Sequence, residues 1–220
     1  MKIITRLIRA IKGKPPNAIE KAIKENKNIE HSFIKYPKEE IQETTKNATK
    51  YSVSHSPKII EEYRKRLKEK INNYHPKREK YIHTHSELAI PSYLDVMSLI
   101  GSSIRNEPDY SHIYIHNKKG KIIGRTTATI DYKILLKNEI FLKDLAEVMI
   151  KVKKEEFKYV QQEVIDSLFN KYALQFKTKM KKEKKTANIL DFYNWLGIKV
   201  RVSPAKGYKF NPQENSLQKI

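Results

Sequence analysis

The stretch HTHSELAIPSYLD, residues 83–95, gathers two imidazoles, a hydroxyl and a carboxylate within thirteen positions. Side chains alternate along an extended strand, so His83 and His85 project from one face and can grip an ion from one side. Asp95 falls about one turn into the apolar run that follows, and the intervening loop can fold that helix start back over the strand end. Two neutral nitrogens and one carboxylate oxygen make a three-ligand site, with water completing a tetrahedron. Ser92, at the helix N-terminus, can offer its hydroxyl and neighbouring amides to an oxyanion. The same residues admit a plainer reading. Ser92 and Asp95 have the spacing of a capping box, with Asp in the place of Glu or Gln, and an H-x-H pair can be incidental. The chain has no cysteine, so any metal must be held by imidazole and carboxylate, the ligand style of catalytic rather than structural zinc.

The elements that must position these residues follow from pattern. The segment PPNAIEKAIKENK spaces Ala18, Ile19, Ala22 and Ile23 as one helix face. Strand-like residues from Ile29 to Tyr36, a turn at Pro37 and Lys38, and a Thr-, Val- and Tyr-rich run from Ile41 to Ser54 read as a hairpin with a ragged second strand. Pro57 opens a helix whose stripe is Ile59, Ile60, Tyr63, Leu67 and Ile71. REKYIHTHS is a short strand, and PSYLDVMSLIGSSI is a helix that Gly101 stops or weakens. SHIYIHNKKGKIIGRTTATIDY is a strand, an Asn-Lys-Lys-Gly turn and a second strand. Residues 138–185 are helical throughout, with KTKMKKEKK as a solvated helix end or loop. A helix carrying Trp195 then stops at Gly197, followed by two short strands around Pro204 and Gly207. The expected fold class is α/β (α+β), a mixed sheet flanked by helices.

The order hairpin, amphipathic helix, strand with H-x-H, then P-S-x-x-D opening a helix resembles the JAMM motif of the JAB/MPN family of zinc metalloproteases. That motif runs from a glutamate on an early strand to H-x-H, then serine and aspartate. His83, His85, Ser92 and Asp95 occupy the last four places. Six residues separate His85 from Ser92, one fewer than the family's spacing, and Ser86 stands where the family has proline. The resemblance covers about residues 15–135. It implies a JAB/MPN-like (cytidine deaminase-like) fold, zinc on His83, His85 and Asp95, and hydrolysis of an amide or isopeptide bond. Ser92 would steady the oxyanion and a glutamate would carry the proton to the leaving amine. Glu30, directly after the first helix, falls where the family's glutamate does, and Glu43 on the second hairpin strand is the runner-up. A peptide or a ubiquitin-like protein tail is the implied substrate. The corresponding division is a basic N-terminal helix (1–14), a catalytic domain (15–136), a helical insertion or lid (137–187), and a final helix with strands that rejoin the sheet (188–220).

A formal charge of +20 and a pI near 9.8 raise a different possibility, nucleic acid. The charge is almost all lysine, with eight arginines, and arginine is the side chain that forks onto guanine edges and phosphates. Weak, salt-sensitive, sequence-blind binding is the most this composition supports. Two rival readings stand beside the protease: a catalytically inactive JAB-fold interaction scaffold, and a basic nucleic-acid-binding protein or metal-dependent phosphoesterase whose multi-histidine site begins at HTHS. The phosphoesterase expects further His and Asp pairs at ligand spacing downstream. His112 and His116 lack a nearby carboxylate and read as exposed or hydrogen-bonded histidines. His31, His55 and His75 are isolated, and Trp195 with Phe192 and Tyr193 reads as core. No apolar run approaches the ~18 residues of a membrane span, and the charged opening MKIITRLIRAIKGK lacks a signal peptide's core, so the expected location is cytoplasmic.

Overall fold

The computed structural model describes residues 17–36, 38–48, 54–75, 78–104, 110–154 and 158–220, and the expected helix over 1–14 lies outside them. The first elements are helix α1 (Asn17–Glu25), strands β1 (Ser32–Lys35), β2 (Gln42–Glu43), β3 (Thr45–Lys46) and β4 (Ser54–His55), and helix α2 (Pro57–Lys70). Strand β5 (Lys80–Ser86), helix α3 (Tyr93–Ile104) and strands β6 (Tyr110–His116) and β7 (Ile122–Ile130) follow. The chain ends with helices α4 (Tyr132–Leu135), α5 (Glu139–Lys154), α6 (Lys158–Lys182) and α7 (Ile189–Leu196), then strands β8 (Ile198–Pro204), β9 (Tyr208–Asn211) and β10 (Ser216–Lys219).

Six strands form one mixed sheet in the order β2–β1–β5–β6–β7–β8. Its one parallel pair is β5 with β6; the other pairs are antiparallel. Parallel neighbours need a crossover, and α3 supplies it. The chain therefore leaves the sheet at the end of β5 and starts a helix there. In open sheets, that is where ligands gather. Of the terminal strands only β8 joins the main sheet, along β7; β9 and β10 pair with each other.

Both faces of the sheet are covered, and the alternation of side chains decides by what. Phe33 and Ile82 face Ile19, Ala22 and Ile23 of α1 together with Tyr114. The opposite face carries Ala128 and Ile198 into the largest core, with Ile100, Phe141, Phe169 and Leu196 from the helices. Burying each such side chain contributes about 1.5–3 kcal/mol. Tyr63 and Leu67 of α2 pack on Ile34 and Tyr36, and Arg64 clamps the buried Glu79 carboxylate through Nε at 3.1 and 3.2 Å and Nη2 at 2.8 Å. That bidentate pair ties α2 to the residue preceding β5.

Glycine acts differently at its several positions. Gly197 has φ 88° and lies against Leu135 with no room for a Cβ, so it ends α7 as the sequence reading required. Gly120, φ 76°, completes the turn between β6 and β7. Gly101 does not stop α3: it is buried and the helix runs three residues past it. Close packing of that face outweighs the propensity cost of a helical glycine, about 1 kcal/mol.

Candidate metal centre

His83 and His85 point from the same face of β5, and their Nε2 atoms approach to 3.1 Å. Asp95 arrives from the first turn of α3. Its Oδ1 lies 3.2 Å from His83 Nε2, and its Oδ2 lies 3.3 Å from His85 Nε2. A tetrahedral ion with bonds of ~2.0–2.2 Å separates its ligand atoms by about 3.3–3.6 Å. The donors therefore stand at nearly the spacing an ion would set. Both histidines are buried and Asp95 is partly so, and among the described residues this is the one such group of three able to hold a metal ion.

Each side chain has a local reason to be there. Asp95 is the third residue of a reciprocal cap: Ser92 N donates to Oδ2 at 2.7 Å, and Asp95 N donates to Ser92 Oγ at 3.2 Å. The Ser92 hydroxyl also donates to Oδ2, at 2.8 Å. The helix cap and the ligand are thus one carboxylate, and the plainer reading of Ser92 and Asp95 describes the same geometry as the chemical one. Both polar donors of Ser92 are spent on Asp95. In this state Ser92 orients the ligand rather than facing an oxyanion.

Glu30 completes the group. Antiparallel pairing aligns Ser32 with His83, and continuing that register by two residues sets Glu30 across from His85. Its Oε1 lies 3.7 Å from His85 Nε2. Glu43, the runner-up, is engaged elsewhere: its Oε1 accepts from Thr45 Oγ1 at 2.8 Å and lies 3.1 Å from His31 Nδ1.

The electrostatics follow from burial and proximity. Burial pushes Glu30 up to about 7, against the two imidazoles, which pull it down. Burial also works against ionisation of Asp95, but His83 and His85 hold it well below the usual carboxylate range. His85 is raised: the cost of burying its charge is outweighed by Asp95, then by Glu30 and the Leu88 carbonyl. An ionised Asp95 beside the raised His85 is a pre-formed cation site in which a proton on His85 stands in for a metal, so binding an ion there releases it.

The remaining histidines separate from this centre. His112, buried, has Nδ1 3.2 Å from Thr127 Oγ1; burial and the nearby Arg125, Lys80 and Lys35 push it down to about 3, which leaves it neutral. His116 is buried and its Nδ1 donates to Asn117 O at 3.2 Å. Neither is exposed. Trp195 packs on Phe176 and Phe192. His31, to which the sequence assigned no role, is the important omission. Its backbone N donates to Thr84 Oγ1 at 2.8 Å and its carbonyl accepts from Thr84 N at 3.0 Å. It thereby fastens the chain just after Glu30 to the residue between His83 and His85. Its Nε2 lies 2.8 Å from Asn26 O and its Nδ1 faces Glu43. Both neighbours are acceptors, so the ring satisfies them only as an imidazolium. The sole available signal was the pairing of β1 with β5, which no local pattern encodes.

An open groove along α2, lined by Pro57, Ile60, Arg64 and Tyr81, contains none of the triad. Among the described residues no helix is long and apolar enough to cross a membrane. Family models, curated proteins and solved structures yield no match to this chain, so the geometry of His83, His85, Asp95 and Glu30 carries the functional reading by itself.

Proposed function

We propose that this chain is a zinc-dependent metallopeptidase of the JAB/MPN type that hydrolyses an amide or isopeptide bond. The observation that supports it is the placement of a buried carboxyl, Glu30, beside a three-ligand set that leaves one coordination position open. The element order from α1 through β7 suits a JAB/MPN-like fold, and the cap that makes Asp95 a ligand is the S-x-x-D half of the JAMM motif. Glu87, in the loop between His85 and Ser92, turns the chain with a left-handed backbone at φ 70°.

Zinc held by His83, His85 and Asp95 would act as a Lewis acid and supply a water of lowered pKa. Glu30 takes a proton at its carboxylate and returns it to the departing amine. Burial raises the Glu30 carboxyl above the ordinary carboxylate range, the direction that suits a group which both takes and gives a proton. Burial of Glu30 and His85 keeps competing water from the transfer. The Ser92 hydroxyl, exposed at the helix start, turns from Asp95 toward the developing oxyanion. A peptide or a ubiquitin-like tail is the substrate class that the family resemblance supplies.

The test is hydrolysis of C-terminal fluorogenic amides and lysine isopeptide probes by zinc-loaded protein. We expect turnover that a chelator abolishes and zinc restores. Turnover indifferent to chelator would overturn the metal-dependent mechanism, and none on any amide with zinc bound would overturn the proposal in favour of a metal-binding scaffold.

A further inference from the structure

The loop Glu87–Ser92 determines where Asp95 meets the two imidazoles, yet much of it is held by residues far along the chain. Ala89 N donates to Asn215 O at 3.0 Å, and Ala89 O accepts from Thr126 Oγ1. Leu88 bridges to Ser216 in an isolated pairing. Pro91 O accepts from the Tyr193 hydroxyl at 2.8 Å, in a bond buried from solvent across 102 residues of sequence.

Tyr193 lies on α7 and is 1% exposed. Its ring stands edge-on to Tyr93 at 6.4 Å, and Tyr93 stacks on Phe169 of α6 at 4.7 Å. The aromatic contacts hold the first residue of α3 from the side. The hydroxyl holds the carbonyl of Pro91, immediately before the Ser92 cap. In the apolar surroundings of this core, a tyrosine hydroxyl is costly to leave without a partner, so the bond fixes the loop as firmly as it satisfies the ring.

We infer that Tyr193 is a positioning residue for the metal centre: by holding the Pro91 carbonyl it fixes the start of α3, and with it the Asp95 carboxylate, over the H-x-H strand. This rests on the reading of His83, His85 and Asp95 as a metal site. Ligand sets tolerate displacements of only about 0.5 Å, and Asp95 is one helical turn from the point where Tyr193 acts. A C-terminal helix thereby contributes to the site from the side of the Pro91 carbonyl.

Zinc titration against a competing chromophoric chelator tests the inference without any substrate. Tyr193→Phe removes the hydroxyl and keeps the ring; zinc affinity should fall roughly 10-fold, as for other outer-shell partners. Tyr172→Phe is the control. Tyr172 is also buried in the same core, and its hydroxyl goes to Asp144 on α5 in a part-buried bond, away from the loop. That variant should lose stability without losing zinc. Thr126→Val reads the same loop from β7, should Tyr193→Phe fold poorly, and is expected to weaken zinc likewise. Wild-type affinity in a folded Tyr193→Phe, or an equal loss in Tyr172→Phe, would overturn the positioning role. Absence of zinc binding by the wild type would instead remove the site reading and the inference with it.

Discussion

Glu30, two residues before β1, faces His85 on the neighbouring strand β5, carboxylate oxygen 3.7 Å from Nε2, with Glu30 itself outside the ligand set. That separation suits a proton carrier. Glu30→Gln should keep the metal and lose roughly 10²–10⁴-fold in hydrolysis, the usual contribution of a positioned acid–base. Metal analysis and single-turnover assays on the same preparation check both halves. A fall in Glu43→Gln with none in Glu30→Gln would move the role to β2.

Ser92 gives both of its donors to Asp95 and accepts from the Asp95 amide. Ser92→Ala should cost about 1 kcal/mol of stability through the lost cap and weaken zinc roughly 10-fold through the lost orienting bond. Chemical denaturation and zinc titration measure the two separately. Unchanged zinc affinity with lowered stability would assign Ser92 to the cap alone.

His31 and Glu43 give a pH dependence of defined sign. Burial opposes the charge on His31, but Glu43 and the Asn26 carbonyl outweigh it and raise the ring above its ordinary 6.5. Its stabilisation is therefore complete below 6.5 and is lost as pH rises through the raised value. Glu43 is lowered, chiefly by His31 against its own burial, from an ordinary 4.5. Its stabilisation is complete above 4.5 and is lost as pH falls through the lowered value. The pair is at full strength between these limits. Nitrogen-15 spectra should show both His31 ring nitrogens protonated near pH 6. Glu43→Gln should cost about 1 kcal/mol there, because the exposed side of Glu43 is screened. A single-proton His31 pattern at pH 6 would contradict the assignment.

The parts of the centre that the sequence made legible are those set by local periodicity. A period of two places His83 and His85 on one face, and S-x-x-D fixes a cap whatever the fold. Glu30 is a different case, because its position depends on β1 pairing with β5 in one register across some fifty residues. His31 looked isolated because its partners, Asn26 O, Glu43 and Thr84, lie on three different elements. Tyr193 was legible as core, but its bond to Pro91 was not. Gly101 was expected to stop or weaken α3, and the stop does not occur: the helix continues to Ile104 with Gly101 buried. The hairpin β9–β10 was missed in part because SLQK carries little strand pattern.

The lysine-rich surface should bind nucleic acid weakly and without sequence preference. Affinity for a generic duplex should fall steeply with salt, as counterion release requires. Fluorescence anisotropy across a salt series measures the slope, and tight sequence-selective binding at ~0.15 M salt would reverse the ranking of functions.

The most direct measurement is the metal content of protein purified without chelator, taken with His83→Ala, His85→Ala and Asp95→Ala. One zinc per chain is predicted for the wild type and near none for each variant, because two protein ligands hold zinc poorly. X-ray absorption should then report a shell of nitrogen and oxygen donors at about 2.0–2.2 Å. A metal-free wild type, after incubation with excess zinc, would contradict the account, as would full zinc retention in the three variants.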